Sequence, residues 1–157
     1  MSERTVKHDT VVVERNFKAS PGRVFAAWAD PNAHGLWKVP SDDWELAEFE
    51  NDFRVGGREK SCFGPKGDPK YCSDGSYLDI VPGARIVSVG TMHDRNTRIS
   101  ATLCTVELLA AGTGTRLILT DQSAFFDGRE TPSERKSGWG KILDRLEAQM
   151  RREDATA

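Results

Sequence analysis

The stretch from residue 42 to residue 122 constrains the fold most, because it reads as a succession of short strands separated by turn residues. Six segments favour strands, at residues 43–50, 57–63, 71–80, 85–93, 98–109 and 115–122. Turn signals such as Val81-Pro82-Gly83 and Gly112-Thr113-Gly114 lie between them. Connections this short join antiparallel neighbours, so the stretch predicts an antiparallel meander.

A further strand and two short helices precede this region. Residues 10–17 are rich in β-branched side chains and favour a strand. Ser20-Pro21 combines a helix N-cap with proline at the first helical position, and it predicts a helix over residues 21–29. Asp30-Pro31 repeats the signal for a second short helix that ends near Gly35.

A long amphipathic helix follows the strands. The residues from Thr131 to Glu134 form a capping box, in which the Thr131 hydroxyl accepts from the Glu134 N–H and the Glu134 side chain reaches back. Apolar residues then recur at helical spacing in one stripe: Trp139, Ile142, Leu143, Leu146 and Met150. At about 1.5–3 kcal/mol for each buried side chain, the stripe stabilises helix docking by roughly 10 kcal/mol.

This order of elements predicts an α+β fold, in which a curved seven-stranded antiparallel sheet surrounds the long C-terminal helix. The length suits a single domain over residues 1–157, with a core at about 10–150 and polar tails at 1–8 and 151–157. One helix fills the hollow of so wide a sheet incompletely, so we expect a cavity between them.

Composition and motif content argue against several classes of function. The 22 basic and 24 acidic residues are nearly balanced and form no basic stripe, so we expect no nucleic-acid partner. No apolar run approaches the roughly 20 residues of a membrane span, and residues 1–8 lack the apolar core of a signal peptide. We therefore expect a cytoplasmic protein without membrane contact.

The sequence also lacks the usual signatures of a metal or cofactor site. Cys62, Cys72 and Cys104 form no Cys-x-x-Cys pair, and the histidines have no partner at metal-ligand spacing. No phosphate-loop or dinucleotide motif occurs. We expect no metal and no cofactor, and we expect the three cysteines to be reduced and mostly buried.

Several short motifs occur in an order that is typical of a known superfamily. They are the run from Val24 to Pro31, Leu36-Trp37, Gly56-Gly57-Arg58, the run from Tyr77 to Pro82, Arg85-Ile86-Val87, Gly114-Thr115-Arg116-Leu117, Gly138-Trp139 and the run from Leu143 to Leu146. Over residues 10–150 the chain resembles the SRPBCC or START-like (Bet v-like) superfamily, in the branch similar to activators of the ninety-kilodalton heat-shock-protein ATPase.

The stretch from Asp121 to Gly128 resembles a bacterial subgroup of that branch, whose members are described as polyketide cyclase-like or of unknown function. The resemblance implies the helix-grip fold and a hydrophobic cavity, but it implies no single activity. Relatives often carry aromatic or apolar residues where this chain has Glu59, Ser88 and Gly90. This difference predicts a roomier or more polar ligand site.

Strand alternation and the resemblance together nominate the residues that face the cavity. Leu117, Leu119 and Asp121 share one face of the last strand, and Ser88 and Met92 share one face of the strand at 85–93. The candidate ligand-binding residues are Trp37, Phe53, Ser61, Phe63, Tyr77, Ser88, Met92, Thr102, Leu119, Trp139 and Leu143. For Trp37, Trp139 and Leu143 the alternative is ordinary core packing. For Tyr77 it is a surface or edge position, and for Met92 it is a gap-filling role.

Glu59 and Asp121 are the candidate catalytic residues, because they are the two acids predicted on the inward face. A carboxyl group in an apolar cavity has a raised pKa, which suits a general acid or base. The alternative is an ordinary ion pair with a basic residue near a strand end, for which the candidates are Arg58, Lys60 and Arg116.

Three functions therefore remain open. The first is binding of a small hydrophobic or amphipathic ligand without chemistry, which the lack of a recognisable catalytic motif favours. The second is an enzyme of cyclase, dehydratase or hydrolase type that acts on a molecule in the cavity. The third is a chaperone-associated protein, as the resemblance suggests. An edge strand at residues 10–17 or 43–50 also offers a surface for a homodimer.

Overall fold

A computed structural model describes residues 4–156, with side chains described up to residue 154. The elements are β1 (Val6–Phe17), α1 (Pro21–Ala29), α2 (Pro31–Gly35), β2 (Trp44–Asn51), β3 (Arg58–Pro65), β4 (Tyr71–Val81), β5 (Arg85–Asp94), β6 (Thr97–Ala111), β7 (Gly114–Phe126) and α3 (Pro132–Thr156). Each predicted strand and helix is present in the predicted order. The α+β helix-grip architecture is thereby confirmed.

The strands form one antiparallel sheet in the order β1-β7-β6-β5-β4-β3-β2. Only β1 lies out of sequence order, because it pairs with the last strand, β7. The first two strands, β1 and β2, are the edges of the sheet, as the sequence predicts. Within residues 4–156, no helix is long and apolar enough to span a membrane.

The two predicted tails are wrong at residues 6–8 and 151–156, whereas residues 4 and 5 belong to no helix or strand. Residues 6–8 belong to β1, since Val6 to His8 pair with Ala124 to Phe126 of β7. Residues 151–156 continue α3. The rest of the tail prediction, at residues 1–3 and 157, lies outside the described residues.

A pair of glycines lets two neighbouring strand backbones approach closely near the centre of the sheet. Gly75 of β4 lies directly opposite Gly90 of β5. A Cβ atom on Gly75 would lie 1.9 Å from the carbonyl oxygen of Val89, so no larger residue fits this position. Glycine inside a strand often marks such a close approach of a second backbone.

The predicted caps fix where the helices begin. Ser20 caps α1 by accepting a hydrogen bond from the Arg23 N–H. At α3 the Thr131 hydroxyl accepts from the Glu134 N–H at 3.1 Å, as the capping box predicts. The Glu134 carboxylate accepts from the Thr131 hydroxyl rather than from its backbone N–H.

The prediction that all three cysteines are reduced is wrong. Cys62 and Cys72 form a disulfide. They are register partners on β3 and β4, so their Cα atoms lie 4.1 Å apart and cross-strand pairing brings the two thiols together. The sequence lacked a Cys-x-x-Cys signal because the two residues meet across strands. Cys104 is a free, half-buried thiol, and burial raises its pKa.

Candidate functional site

A cavity of about 400 Å³ lies between the concave face of the sheet and α3. The short helices α1 and α2, with the segment that follows them, form another part of its wall. Trp28, Trp37, Trp44 and Trp139, which are all four tryptophans of the chain, line it. The sequence argument for an incompletely filled hollow therefore agrees with the geometry.

Four polar side chains form a cluster on the β3 side of the cavity, the Lys38 cluster (Lys38, Asn51, Glu59 and Tyr77). Lys38 Nζ lies 3.0 Å from Glu59 Oε1, and the Tyr77 hydroxyl donates to Glu59 Oε2 at 2.5 Å. The same hydroxyl oxygen lies 2.6 Å from the side-chain amide of Asn51. The atom of Asn51 that it meets is the acceptor Oδ1, so Glu59 and Asn51 share the one hydroxyl proton of Tyr77.

The Lys38 cluster keeps Glu59 ionised. Burial by itself would raise the pKa of Glu59, but the charge of Lys38 and the hydrogen bonds from Tyr77 and Lys38 outweigh it and lower the pKa to about 2. Burial also raises the pKa of Tyr77, and the negative charge of Glu59 adds to this effect. At neutral pH the cluster therefore holds a carboxylate beside a neutral phenol.

His34 lies beside this cluster as a neutral imidazole. Burial lowers the pKa of His34 to about 3, and the positive charge of Lys38 acts in the same direction. Its ring stacks on Trp37 with centroids 4.4 Å apart and meets Trp28 and Phe49 at an angle. Among the described residues, its Nδ1 atom has no hydrogen-bond partner although it is buried.

A second cluster lies on the β7 side, the Arg135 cluster (Thr102, Asp121, Ser123, Glu130 and Arg135). Asp121 is fully buried and accepts from Arg135 Nη1 at 3.0 Å. Ser123 also donates to Asp121. Glu130 accepts from Arg135 Nε and Nη2, both at 2.7 Å.

The guanidinium of Arg135 is saturated with acceptors. Beyond the two carboxylates, Nη1 donates to the Thr102 and Ser123 hydroxyls, and Nη2 donates to the Ser100 hydroxyl at 2.9 Å. The group also lies over the Phe125 ring, 5.2 Å from its centroid. Burial lowers the pKa of Arg135, but hydrogen bonding to Glu130 and the charges of Asp121 and Glu130 outweigh it and raise the pKa. This cluster joins α3 to the sheet.

The two candidate catalytic acids both line the cavity, yet each is held in an ion pair. The basic partners that the sequence suggested are wrong, because Arg58, Lys60 and Arg116 pair with acids elsewhere. The expected rise in the pKa of Glu59 is also wrong, since its pKa falls. The physical reason is the same in both cases. Lys38 and Arg135 come from distant parts of the chain, which strand alternation does not reveal.

Eight of the eleven candidate ligand-binding residues lie on the cavity wall: Trp37, Ser61, Phe63, Tyr77, Ser88, Met92, Thr102 and Trp139. The other three lie behind the wall. Leu119 and Leu143 are fully buried in the hydrophobic core, and Phe53 packs edge-on against Tyr77 with ring centroids 4.9 Å apart. A ligand role for these eight stays a prediction.

Sequence reasoning missed Arg135, Lys38 and His34. Arg135 lies four residues before Trp139, which places it on the same face of α3 as the apolar stripe. A charged residue on an inward face is a signal that could have identified it. Lys38 follows from no periodicity because the turn after α2 decides where it points, and α2, with five residues, is too short for a periodic pattern to identify His34.

Gly138 is the place where α3 leaves room for the cavity. It lines the cavity, and a Cβ atom added there would meet nothing within 4 Å among the described residues. At Gly140 a Cβ atom would lie 3.3 Å from Arg15 Nη2. Close approach of helix and sheet therefore does not explain the glycine at 138.

Comparison with solved structures gives close matches. An uncharacterized protein from Rhizobium leguminosarum is 35% identical, with a TM-score of 0.86, and the match covers 96% of this chain and 99% of that one. The Mll3558 protein from Rhizobium loti is 43% identical, with a TM-score of 0.84 and coverage of 92% and 99%. DynU16, a protein of the dynemicin biosynthetic locus, shares the fold at 18% identity with a TM-score of 0.67, and this chain covers 47% of its length against 91% of its own.

No curated protein matches the chain with significance. Residues 18–151, which span α1 to most of α3, match the family described as Activator of Hsp90 ATPase homolog 1-like protein. The strand order, the two short helices and the helix over the sheet agree with the superfamily that the sequence motifs resemble. The chain therefore belongs to the Activator of Hsp90 ATPase homolog 1-like family.

Proposed function

We propose that the protein binds a small, largely hydrophobic molecule in the cavity between the sheet and α3. The observation that carries this proposal is a cavity of about 400 Å³ into which all four tryptophans of the chain face. Pockets of this size and aromatic character are typical of sites for small organic ligands. A few polar groups among aromatic walls would orient such a molecule.

Energetics favour an occupied cavity over an empty one. At about 24 cal/mol per Å³, an empty apolar cavity of this volume would cost up to roughly 10 kcal/mol, which is comparable to the whole stability of a domain. Water and the polar clusters on its wall reduce that cost. A ligand that covers the aromatic surface reduces it further, and this is the driving force we infer for binding.

An enzymatic role is the alternative, and it has less support. A general acid or base works best with a pKa near the operating pH. Glu59 has a pKa of about 2, and Asp121 is engaged by Arg135, Ser123 and Trp139.

Stimulation of a chaperone ATPase, which the family description suggests, is tested by adding the protein to the purified chaperone and measuring phosphate release. Unchanged release would remove that alternative.

The functional test uses Gly138, because a side chain added there enters the cavity. Native mass spectrometry of the protein from its own host should detect a co-purifying small molecule. Gly138→Leu should lose that molecule and should lose binding of a neutral apolar dye such as Nile red. Ser137→Leu is the matched control, since Ser137 is the exposed neighbour on α3. If Gly138→Leu binds dye and host molecule as well as Ser137→Leu does, the proposal is wrong.

The location of the protein and its assembly stay predictions. Structural disulfides are typical of oxidising compartments, so the Cys62–Cys72 bond gives a cytoplasmic location no support. The exposed edges β1 and β2 remain the two surfaces on which a homodimer would form by strand pairing.

A further inference from the structure

The two polar clusters differ in what they leave available to a ligand. In the Arg135 cluster, Arg135 already has an acceptor for each of its N–H groups, and Asp121 accepts from three donors. In the Lys38 cluster, Lys38 makes one hydrogen bond, to Glu59, among the contacts of the described residues. An ammonium group has three N–H bonds, so Lys38 has donors to spare.

Two buried polar atoms beside the Lys38 cluster also lack partners. Ser61 lies two residues after Glu59 on the same face of β3, lines the cavity and is fully buried. Its hydroxyl has no hydrogen-bond partner within residues 4–156, and the same holds for His34 Nδ1. Buried polar groups in native proteins are almost always satisfied, so two unsatisfied atoms at one side of a cavity point to a bound partner.

The neutral imidazole of His34 narrows the kinds of group that would satisfy it. A neutral imidazole has one N–H donor and one acceptor nitrogen, so the unpartnered Nδ1 can be either of them. Ser61 and Lys38 can donate. A hydroxyl group both donates and accepts, so a single hydroxyl can serve His34 in either tautomer together with Ser61 or Lys38, whereas a carbonyl can only accept.

Charge argues against an anionic ligand. Three basic and four acidic side chains line the cavity among the described residues, so it offers no net positive charge. A carboxylate that approached Lys38 would compete with Glu59, and Glu59 would then be a buried charge without its cation. An unpaired buried charge is strongly unfavourable.

We propose that the cavity selects an uncharged aromatic molecule whose hydroxyl group is bound by His34, Ser61 and Lys38, and that it discriminates against carboxylates. This inference rests on the proposed function of the cavity and names the ligand class for it. The apolar body of the ligand lies against the tryptophan-lined wall, and the hydroxyl group of the ligand completes the hydrogen bonds that the protein leaves open beside Glu59.

Three probes with one ring system test the inference: naphthalene, 2-naphthol and 2-naphthoate. Isothermal titration calorimetry at pH 7 should give binding of 2-naphthol at least tenfold tighter than that of naphthalene or 2-naphthoate. Ser61→Ala should reduce severalfold the ratio of the dissociation constant of naphthalene to that of 2-naphthol. Because the Ser61 hydroxyl is unpartnered, this variant should fold normally, and its urea midpoint checks that it does.

The outcomes separate this inference from the function beneath it. Equal binding of naphthalene and 2-naphthol, or tighter binding of 2-naphthoate, would overturn the hydroxyl assignment and leave cavity binding intact. An unchanged ratio in Ser61→Ala would overturn it as well. If none of the three probes binds, or if Gly138→Leu binds them all as before, the proposed function fails and the inference fails with it.

Discussion

Replacing Arg135 by methionine removes the cation that neutralises a fully buried carboxylate. Asp121 would keep its hydrogen bonds from Ser123 and Trp139 but would lose its ion-pair partner, and Glu130 would lose both of its bonds to the guanidinium. Breaking a buried ion pair by removing one partner costs about 3–5 kcal/mol. We expect Arg135→Met to lower the free energy of unfolding by that amount.

A double-mutant cycle with Asp121→Asn shows whether the ion pair is the cause. Asparagine keeps an acceptor for the Trp139 indole N–H and carries no charge, so the double variant leaves no unpaired charge at position 121. We expect it to be more stable than Arg135→Met alone, with a coupling energy of about 2–3 kcal/mol.

Urea denaturation followed by far-ultraviolet circular dichroism measures these differences without relying on the tryptophans near the mutations. Arg116→Met is the matched control, because Arg116 pairs with Glu14 at the surface and such pairs contribute about 1 kcal/mol or less. Should Arg135→Met behave like Arg116→Met, or should the double variant equal the sum of the single ones, the assignment of Arg135 as the buried counter-ion is wrong.

Three other predictions concern stability. In the folded state His34 takes up a proton only near its pKa of about 3, whereas the unfolded chain takes it up near pH 6.5, so the free energy of unfolding falls as the pH drops through this window. Between pH 6.5 and 4.5, urea titrations should show a loss of unfolding free energy that is about 2–3 kcal/mol smaller for His34→Phe than for wild type. Parallel pH profiles of the two proteins would contradict this prediction. The Cys62→Ser/Cys72→Ser double variant should be less stable by about 2–3 kcal/mol, and dithiothreitol should lower the thermal midpoint of wild type but not that of the variant. Gly138→Ala should raise the free energy of unfolding by about 1 kcal/mol, while Gly140→Ala should raise it less because its Cβ would lie 3.3 Å from Arg15 Nη2. Equal gains would show that the contact with Arg15 costs nothing, and no gain at position 138 would show that the space beside it is not open.

Local signals in the sequence determined where the elements lie. Proline after Ser20, Asp30 and Thr131 marked the helix starts, and the structure has helices that begin at Pro21, Pro31 and Pro132. Alternation along β7 placed Asp121 on the inward face, and the family resemblance placed Glu59 and Ser61 there. All three residues line the cavity. These predictions succeeded because capping and alternation depend on neighbours within a few residues.

Contacts between distant residues needed the tertiary structure. Cys62 and Cys72 meet because of the β3–β4 register, and Lys38 reaches Glu59 because the turn after α2 directs it into the cavity. Arg135 meets Asp121 because of the position that α3 takes over β7. Register, turn geometry and helix placement result from the packing of the whole chain, so short-range patterns predict which residues face inward but not which of them meet.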